Sequence, residues 1–213
     1  MEKPSTCSGC PLELIGESFC PGNGPTNAKL VVVAEAPGAE EARLSKPLVG
    51  SSGYVFSQLC SKAGIDRNEV YITNILKCRP PNNEIPKNFD VHECTSRYLE
   101  SELTSIKPNL ILSLGDTAAS FLFRPKLSIT DWRGSTVSTR FGKALLALHP
   151  AYIMREYSTF PITVVDFIKA KRESNSLDMP LVNEDFILNP TIEDVRDFFS
   201  NTGDVVAFDI EST

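Results

Sequence analysis

The length, composition and charge of the chain exclude several classes of protein. Its 213 residues are 41% hydrophobic and 23% charged, which is enough apolar material for the core of one ordinary domain with a tail or of two small domains. No apolar run is long enough to span a membrane, and the polar N-terminus predicts no secretory signal, so we expect a soluble cytoplasmic protein without a membrane partner. The balance of 21 basic to 27 acidic residues argues against tight non-specific binding of nucleic acid, although it leaves room for a local basic groove.

Strand and helix patterns alternate along most of the chain. Apolar runs bounded by turn residues predict strands at 29–34, 70–76, 110–114 and 144–148. Helical periodicity predicts helices at 53–63, 89–106 and 162–171. Asp116 or Thr117 is placed to cap a further short helix, and 132–139 is expected to be irregular or extended. This alternation predicts an α/β fold with a doubly wound, mostly parallel, four-stranded central sheet flanked by helices.

The composition changes near Lys171, where a polar segment interrupts the pattern. We therefore predict a first domain at 1–172, a linker at 173–184 and the incomplete beginning of a second α/β unit at 185–213. In that unit the pattern predicts a strand at 185–188, a helix at 191–200 and a strand at 205–210.

The six cysteines point to metal binding or core packing, because a chain without a secretory signal seldom carries a disulfide framework. Cys7 and Cys10 form a C-x-x-C pair in a polar segment, where two thiolates can bind one metal centre. Cys60 lies on the apolar face of the predicted helix at 53–63 and is expected to be a packed core thiol.

Four motifs follow one another along the chain. They are Cys7-x-x-Cys10, the turn Ala34-Glu35-Ala36-Pro37-Gly38, the segment 71–81 with Cys94 on the helix after it, and His149-Pro150-Ala151. With these motifs, residues 5–170 resemble the family 4 uracil-DNA glycosylases, the iron–sulfur branch of their superfamily. The resemblance implies the fold of that superfamily and, as an activity, hydrolysis of the N-glycosidic bond of uracil in DNA.

The resemblance implies a [4Fe–4S] cluster bound by Cys7, Cys10, Cys78 and Cys94. Spacing alone leaves zinc as an alternative, because four cysteine ligands suit a zinc ion as well as a cluster. The bound group would join the N-terminal loop to the proline-rich loop after Cys78 and to the following helix. Cys20 and Cys60 remain outside this set.

The resemblance also implies contacts with the base. Backbone groups of the turn that contains Ala34 and Ala36 would approach the uracil. Asn74 would hydrogen-bond the Watson–Crick edge of the base through its amide. His149 would donate to uracil O2 while negative charge builds on the leaving base.

The remaining implied roles concern the sugar and the DNA strand. Either Glu35 or Glu41 would orient water and stabilise the sugar cation, and the sequence leaves the choice between them open. Arg155 would contact a backbone phosphate, while Tyr152 and Ile153 would fill the gap left by a flipped base.

Two positions depart from the family pattern. Ala34 stands where the family usually has glycine, and a methyl group is costly where the backbone approaches a ligand or adopts a positive φ. Leu48 stands where the family usually has an aromatic residue that stacks on uracil, and the loss of such stacking costs ~1–3 kcal/mol. We therefore expect weak excision of uracil.

The tail carries a second resemblance. Residues 189–195 are followed by a strand pattern with Asp209-x-Glu211, whose carboxylates share one side of the strand, as two-metal phosphodiester chemistry requires. This order resembles the start of the 3′–5′ exonuclease domain of family A DNA polymerases. It implies that Asp209 and Glu211 bind Mg²⁺ only in a complete exonuclease domain, and that the chain is the N-terminal part of a replication polymerase, as in phage fusions.

Three hypotheses follow for the function. The first is a monomeric uracil-DNA glycosylase domain of a polymerase in a bacterial or phage-infected cell. Single-stranded uracil-containing DNA would be its favoured substrate, because unpairing costs least there. The alternative is a non-catalytic module that binds DNA or uracil for the polymerase, and the third is a cluster-stabilised structural domain. Release of uracil from DNA separates the first from the other two.

Overall fold

The computed structural model describes residues 5–87, 89–179 and 190–201. The chain divides into two compact units, Met1–Pro180 and Leu181–Thr213. No helix in these described ranges is long and apolar enough to cross a membrane. The strands predicted at 185–188 and 205–210, and the candidate Mg²⁺ ligands Asp209 and Glu211, lie outside the described residues.

The first unit contains seven described strands and nine described α-helices, besides short 3₁₀ and π-helical turns. The strands are β1 (Glu17–Phe19), β2 (Leu30–Ala34), β3 (Tyr71–Asn74), β4 (Cys78–Arg79), β5 (Leu110–Leu114), β6 (Thr136–Thr139) and β7 (Gly142–Ala147). The helices are α1 (Leu12–Ile15), α2 (Ala39–Leu44), α3 (Ser51–Ala63), α4 (His92–Cys94), α5 (Glu100–Ile106), α6 (Asp116–Leu122), α7 (Ile129–Trp132), α8 (Pro150–Arg155) and α9 (Phe160–Glu173). In the second unit, α10 spans Ile192–Asn201, close to the predicted helix at 191–200.

Five strands form the central sheet in the order β3-β2-β5-β7-β6. The first four are parallel, whereas β6 pairs with β7 in the antiparallel direction. The predicted doubly wound, mostly parallel sheet is therefore confirmed, and β6 adds a fifth strand from the segment expected to be irregular or extended. A separate two-stranded sheet pairs β1 with β4.

Helices cover both faces of the central sheet because its inner strands are apolar on both sides. All residues of β2 and β5 are buried. Val31 packs on the face covered by α5 and α6, and its neighbour Val32 packs on the face covered by α3 and α9. The α3–α9 contact includes an edge-to-face pair, Phe56 and Phe167, with ring centroids 5.8 Å apart.

The strand order places a crevice at one edge of the sheet. β2 lies between β3 and β5, so the chain leaves β2 toward one side of the sheet and later returns to its other side. In doubly wound sheets the loops beyond the carboxyl ends of the strands separate at such a point, and ligands bind there. The turn after β2 and the N-terminal ends of α6 and α8 all lie at this edge.

Local structure differs from the sequence prediction in two helices. The helix predicted at 89–106 begins at His92 and contains a π-helical turn over Thr95–Leu99. The prediction that Asp116 or Thr117 caps a helix is wrong. The N-cap of α6 is Gly115, and both side chains bond to more distant residues instead.

A buried lysine fixes the end of the first unit. Lys143, in β7, is 6% exposed, and its Nζ donates to the carbonyl oxygens of Glu173, Ser176 and Asp178 at 2.8 to 2.9 Å. These carbonyls lie at and beyond the last turn of α9, where backbone acceptors lack helical partners. Lys143 therefore ties the segment after α9 to the central sheet.

Candidate active site and cysteine cavity

A cavity of about 480 Å³ opens at the carboxyl edge of the central sheet. The turn after β2, the loop after β4 and the N-terminal ends of α6 and α8 form its wall. Five predicted site residues line it together: Glu35, Ala36, His149, Tyr152 and Arg155.

The carboxylate of Glu35 is held by a residue distant in the sequence. Thr117, in the first turn of α6, donates its hydroxyl hydrogen to Oε2 of Glu35. The backbone oxygen of Glu35 accepts from the N–H of Leu76 at 2.9 Å, which ties the turn after β2 to the chain after β3. Glu35 is only partly buried at the cavity wall, so its carboxylate can reach a bound substrate or a water molecule.

His149 presents an uncharged N–H donor to the cavity. Burial, with a smaller effect from the charge of Arg155, lowers the pKa of His149 to about 4, so the ring is neutral at pH 7. Its Nδ1 accepts a hydrogen bond from the N–H of Ala151 at 3.1 Å, and the ring proton therefore resides on Nε2. Gly115 makes room for the ring, because its φ is 85° and a Cβ there would lie 3.1 Å from the Cβ of His149.

Glu41 contacts backbone amides and is not among the residues that line the cavity. Its Oε1 accepts from the N–H groups of Val49 at 3.0 Å and Gly50 at 2.8 Å, at the N-terminus of α3. Both the unpaired amides and the helix dipole stabilise a carboxylate in this position. The two candidate acids therefore have different surroundings, since Glu35 faces the cavity and Glu41 supports a helix end.

The segment that contains Leu48 is held by Arg67 as well. The guanidinium of Arg67 donates to the carbonyl oxygens of Pro47, Leu48 and Gly53. Leu48 has a φ of 51° and is 4% exposed, within the core rather than at the cavity wall. Gly53 allows this arrangement, because a Cβ there would collide with the carbonyl group of Leu48.

Ala34 and Asn74 end neighbouring strands and face each other in the β2–β3 ladder. They are 1% and 3% exposed, and neither lines the cavity. Ala34 does not have a positive φ, so one of the two reasons to expect a cost at this position is removed. Ala36, two residues further along, does line the cavity.

Helix α8 places two of the three predicted DNA contacts at the cavity. Tyr152 and Arg155 line it, with the Arg155 guanidinium 6.0 Å from the centre of the Tyr152 ring. The predicted contact of Ile153 with DNA is wrong, because Ile153 is 0% exposed and packs in the core. Successive helical residues point about 100° apart, so Ile153 turns inward when Tyr152 faces the cavity.

Several other lining residues were not predicted from the sequence, and Asn83 and Asp116 are two of them. Asn83 has a φ of 60°, and its side-chain oxygen accepts from Nε of Arg79 at 2.7 Å. Arg79 also pairs with Glu17 at 2.8 Å. Asp116, the second of these, lines the cavity and accepts from a backbone N–H of the next helix at 2.8 Å. The consecutive asparagines at 82 and 83 were a usable signal, since asparagine tolerates the left-handed region in turns.

The four predicted cluster ligands surround a second, small cavity, which is lined by Cys7, Cys10, Cys78 and Cys94. Cys7 Sγ lies 3.0 Å from the hydroxyl oxygen of Tyr98, and Cys94 Sγ accepts from the N–H of Lys77 at 3.3 Å. Within the described ranges, no three His, Cys, Asp or Glu side chains are arranged around a point that would hold one metal ion. Four sulfurs that border one cavity nevertheless fit the donor set of a Cys₄-bound group.

A buried ion pair borders this cysteine cavity. Lys77 lines the cavity, and its side chain is 1% exposed. Its Nζ donates to Oγ1 of Thr73 and pairs with Oε2 of Glu102 at 2.7 Å. Burial raises the pKa of Cys94 to about 11, whereas the amide and the charge of Lys77 act against that rise.

The two remaining cysteines are buried outside the cysteine cavity. Burial raises the pKa of Cys20 to about 11 and that of Cys60 to about 12. Cys60 packs in the core on α3, as the sequence predicts.

The fold defines an open, doubly wound α/β protein with its ligand cavity at the switch point of the sheet. Within this class, the family model described as the uracil DNA glycosylase superfamily matches residues 21–173, and the chain belongs to that superfamily. It is 37% identical over 174 residues to a type-4 uracil-DNA glycosylase of Thermotoga maritima, which covers 80% of this chain and 90% of the relative. It is 39% identical over 138 residues to a type-4 uracil-DNA glycosylase of Archaeoglobus fulgidus, which covers 65% of this chain and 67% of the relative.

A DNA polymerase of Bacillus phage SP01 is also similar, with 27% identity over 158 residues. This similarity covers 73% of the present chain and only 17% of the polymerase. The similarity therefore involves only a small part of the polymerase.

Proposed function

We propose that the first unit hydrolyses the N-glycosidic bond of uracil in DNA. The bond between uracil N1 and the sugar C1′ breaks with its electron pair on the base. A water oxygen then adds to C1′, which leaves free uracil and an abasic sugar. Membership of the superfamily and the type-4 relatives support this chemistry.

The observation that carries the proposal is the neutral, oriented imidazole of His149 in the cavity wall. Its Nδ1 is occupied by the N–H of Ala151, so Nε2–H is the group left to donate. As the bond breaks, negative charge develops on uracil O2, and a donor that is already in place stabilises this charge without reorganisation. Removal of one such donor typically slows a reaction by about 10²–10³-fold.

Glu35 is the better candidate for the group that orients water and stabilises the sugar cation. It lies at the cavity wall, and Thr117 fixes one of its carboxylate oxygens. Glu41 contributes indirectly, by holding the segment that leads into α3.

The remaining residues would recognise the base and the strand. Asn74 is 3% exposed and lies outside the cavity lining, so it would reach the base edge only after a local rearrangement at the end of β3. The backbone at Ala36 would border the base, while Arg155 and Tyr152 would contact the DNA strand. The chain has a net charge of −6, so it cannot attract DNA over its whole surface. Arg155 at the cavity would instead hold the strand by a local phosphate contact. Single-stranded uracil would be the preferred substrate, because no base pair has to be opened before the base enters the cavity.

The four lining cysteines would hold the [4Fe–4S] cluster. Cys7 and Cys10 come from the N-terminal turns, Cys78 from β4 and Cys94 from α4. When bound, the cluster supplies a cross-link between these segments. Because Asn83 follows closely after Cys78, this cross-link would also stabilise one wall of the substrate cavity.

Single-turnover release of uracil from a single-stranded oligonucleotide tests the activity. The wild-type chain is expected to release uracil slowly, and His149→Gln should slow release by about 10²–10³-fold. His92→Gln is the matched control, because His92 is exposed and is the only other histidine of the chain. Leu48→Phe and Ala34→Gly should leave the activity unchanged or lower it, because both side chains pack in the core and neither lines the cavity.

The cofactor is tested by metal analysis of anaerobically purified protein. We expect iron and a brown colour, and Cys78→Ser should remove both. Cys60→Ala is the control, because it truncates the core without contact with the cysteine cavity. Stoichiometric zinc without visible absorption would establish the alternative metal.

A second candidate function is a non-catalytic DNA- or uracil-binding module of a DNA polymerase. The partial similarity to the phage polymerase and the aliphatic side chain of Leu48 favour it. In either function the chain would act in the cytoplasm, as part of a polymerase polypeptide and without self-association. Persistent DNA binding without uracil release by the wild-type chain would establish the binding module.

A further inference from the structure

Lys77 occupies an unusual position between the cysteine cavity and the end of β3. Its backbone N–H donates to Cys94 Sγ at 3.3 Å, and the next residue is Cys78. Its side chain runs back to Thr73, the neighbour of Asn74 in β3. The same residue therefore links the cysteine cavity to β3, and the proposed reaction uses neither its amide nor its ammonium group.

The two side chains of the Lys77–Glu102 ion pair differ in their exposure to solvent. The side chain of Lys77 is 1% exposed, whereas that of Glu102 is 18% exposed. Water therefore screens the carboxylate better than it screens the ammonium group. Lys77 lines the cysteine cavity and Glu102 is not among the lining residues, so the positive member of the pair is the one that borders the cavity.

We propose that the Lys77 ammonium group compensates the negative charge of the cysteine-bound cluster, and that Glu102 limits this effect. The inference rests on the proposed [4Fe–4S] cluster. Four thiolates bring four negative charges, and a [4Fe–4S]²⁺ core cancels only two of them. A buried cation beside such a group favours its retention and raises its reduction potential, since reduction adds another negative charge.

The size of the effect follows from simple electrostatics. In an interior of intermediate dielectric constant, a nearby unit charge changes an equilibrium by roughly tenfold. The amide of Lys77 is part of the backbone and stays in place when the side chain is replaced. A side-chain substitution therefore isolates the contribution of the charge.

Three variants of the full chain, purified anaerobically, test the proposal. Lys77→Met removes the cation, Glu102→Gln removes the opposing anion, and Lys143→Met removes a buried ammonium group far along the chain from every cysteine ligand. The measurements are the rate of iron release to a chelator and the midpoint potential of the cluster.

We expect Lys77→Met to release iron roughly tenfold faster and to have a lower midpoint potential than the wild type. Glu102→Gln should have a higher midpoint potential and no faster iron release, and Lys143→Met should match the wild-type potential. Shifts of both pair variants in the same direction would mean that the ion pair acts only on folding, and would overturn the proposal. If Lys77→Met does not fold, an unchanged or lower potential in Glu102→Gln overturns it alone.

The outcome also separates this inference from the cofactor assignment. A wild-type chain that contains zinc or no metal overturns the proposed cluster and the inference with it. A wild-type chain with an intact cluster, together with potentials that do not respond to either charge, overturns the inference and leaves the cluster assignment in place.

Discussion

Replacement of Glu41 by alanine separates the two candidate acids. The Glu41 carboxylate is 6% exposed and accepts from two backbone amides at the start of α3. A hydrogen bond to a charged group contributes about 1.5–3 kcal/mol. Val49 is exposed enough for water to replace its lost bond, so the net cost falls mainly on the Gly50 amide. We therefore expect Glu41→Ala to lower the free energy of unfolding by about 2–3 kcal/mol.

In a chain of this length, 1 kcal/mol corresponds to a change of about 2–4 °C in Tm, so Glu41→Ala should lower Tm by about 4–12 °C. Glu35→Ala loses only its contact with Thr117 at a partly exposed position, and its Tm should change by less than about 3 °C. Single-turnover uracil release should show the opposite order, with the larger loss in Glu35→Ala. The reasoning is refuted if Glu41→Ala keeps the wild-type Tm and iron content but loses more activity than Glu35→Ala.

Three further predictions concern side chains with defined partners. Thr117→Val should slow uracil release about tenfold at unchanged DNA binding, because Glu35 loses the donor that orients it; a proportional loss of binding would contradict this. The pKa of His149 is about 4 when folded and 6.5 ordinarily, so the unfolded chain takes up the proton first as pH falls. Stability should therefore decline from pH 6.5 toward 4 by up to about 1.4 kcal/mol per pH unit, and denaturant titration of His149→Gln should lack this decline. Arg133→Met should lower the unfolding free energy by about 3 kcal/mol, because Asp166 is 2% exposed and loses its bidentate partner; calorimetry measures this loss.

The fold was predictable where strands are buried on both faces. β2 and β5 consist of continuous apolar residues, and such runs between turn signals are typical of inner parallel strands. β6 was not predicted, because Thr136–Thr139 is short and largely polar and becomes a strand only through pairing with β7. The π-helical turn near Cys94 also leaves no signal, since the apolar periodicity of the segment suits an ordinary helix.

The site was predictable as a set of motifs but not as a set of contacts. Glu35 and His149 could be found from the ends of apolar strands, where ligands bind in this class of fold. The donor to Glu35 is 82 residues away in the sequence, and no pattern links it to the turn after β2. The inward rotation of Ile153 and the helix-capping role of Glu41 likewise depend on packing around α3, which local sequence does not encode.

The three backbone acceptors of Lys143 give the first unit a minimum length. The last acceptor belongs to Asp178, five residues after the end of α9 at Glu173. A shortened chain that stops at the end of the helix would retain the lysine in the sheet but remove two of its three acceptors. An ammonium group that is buried with too few acceptors is costly, so such a chain would be less stable than its intact core suggests. The boundary for independent expression of this unit is therefore set by an electrostatic contact rather than by the last helical residue.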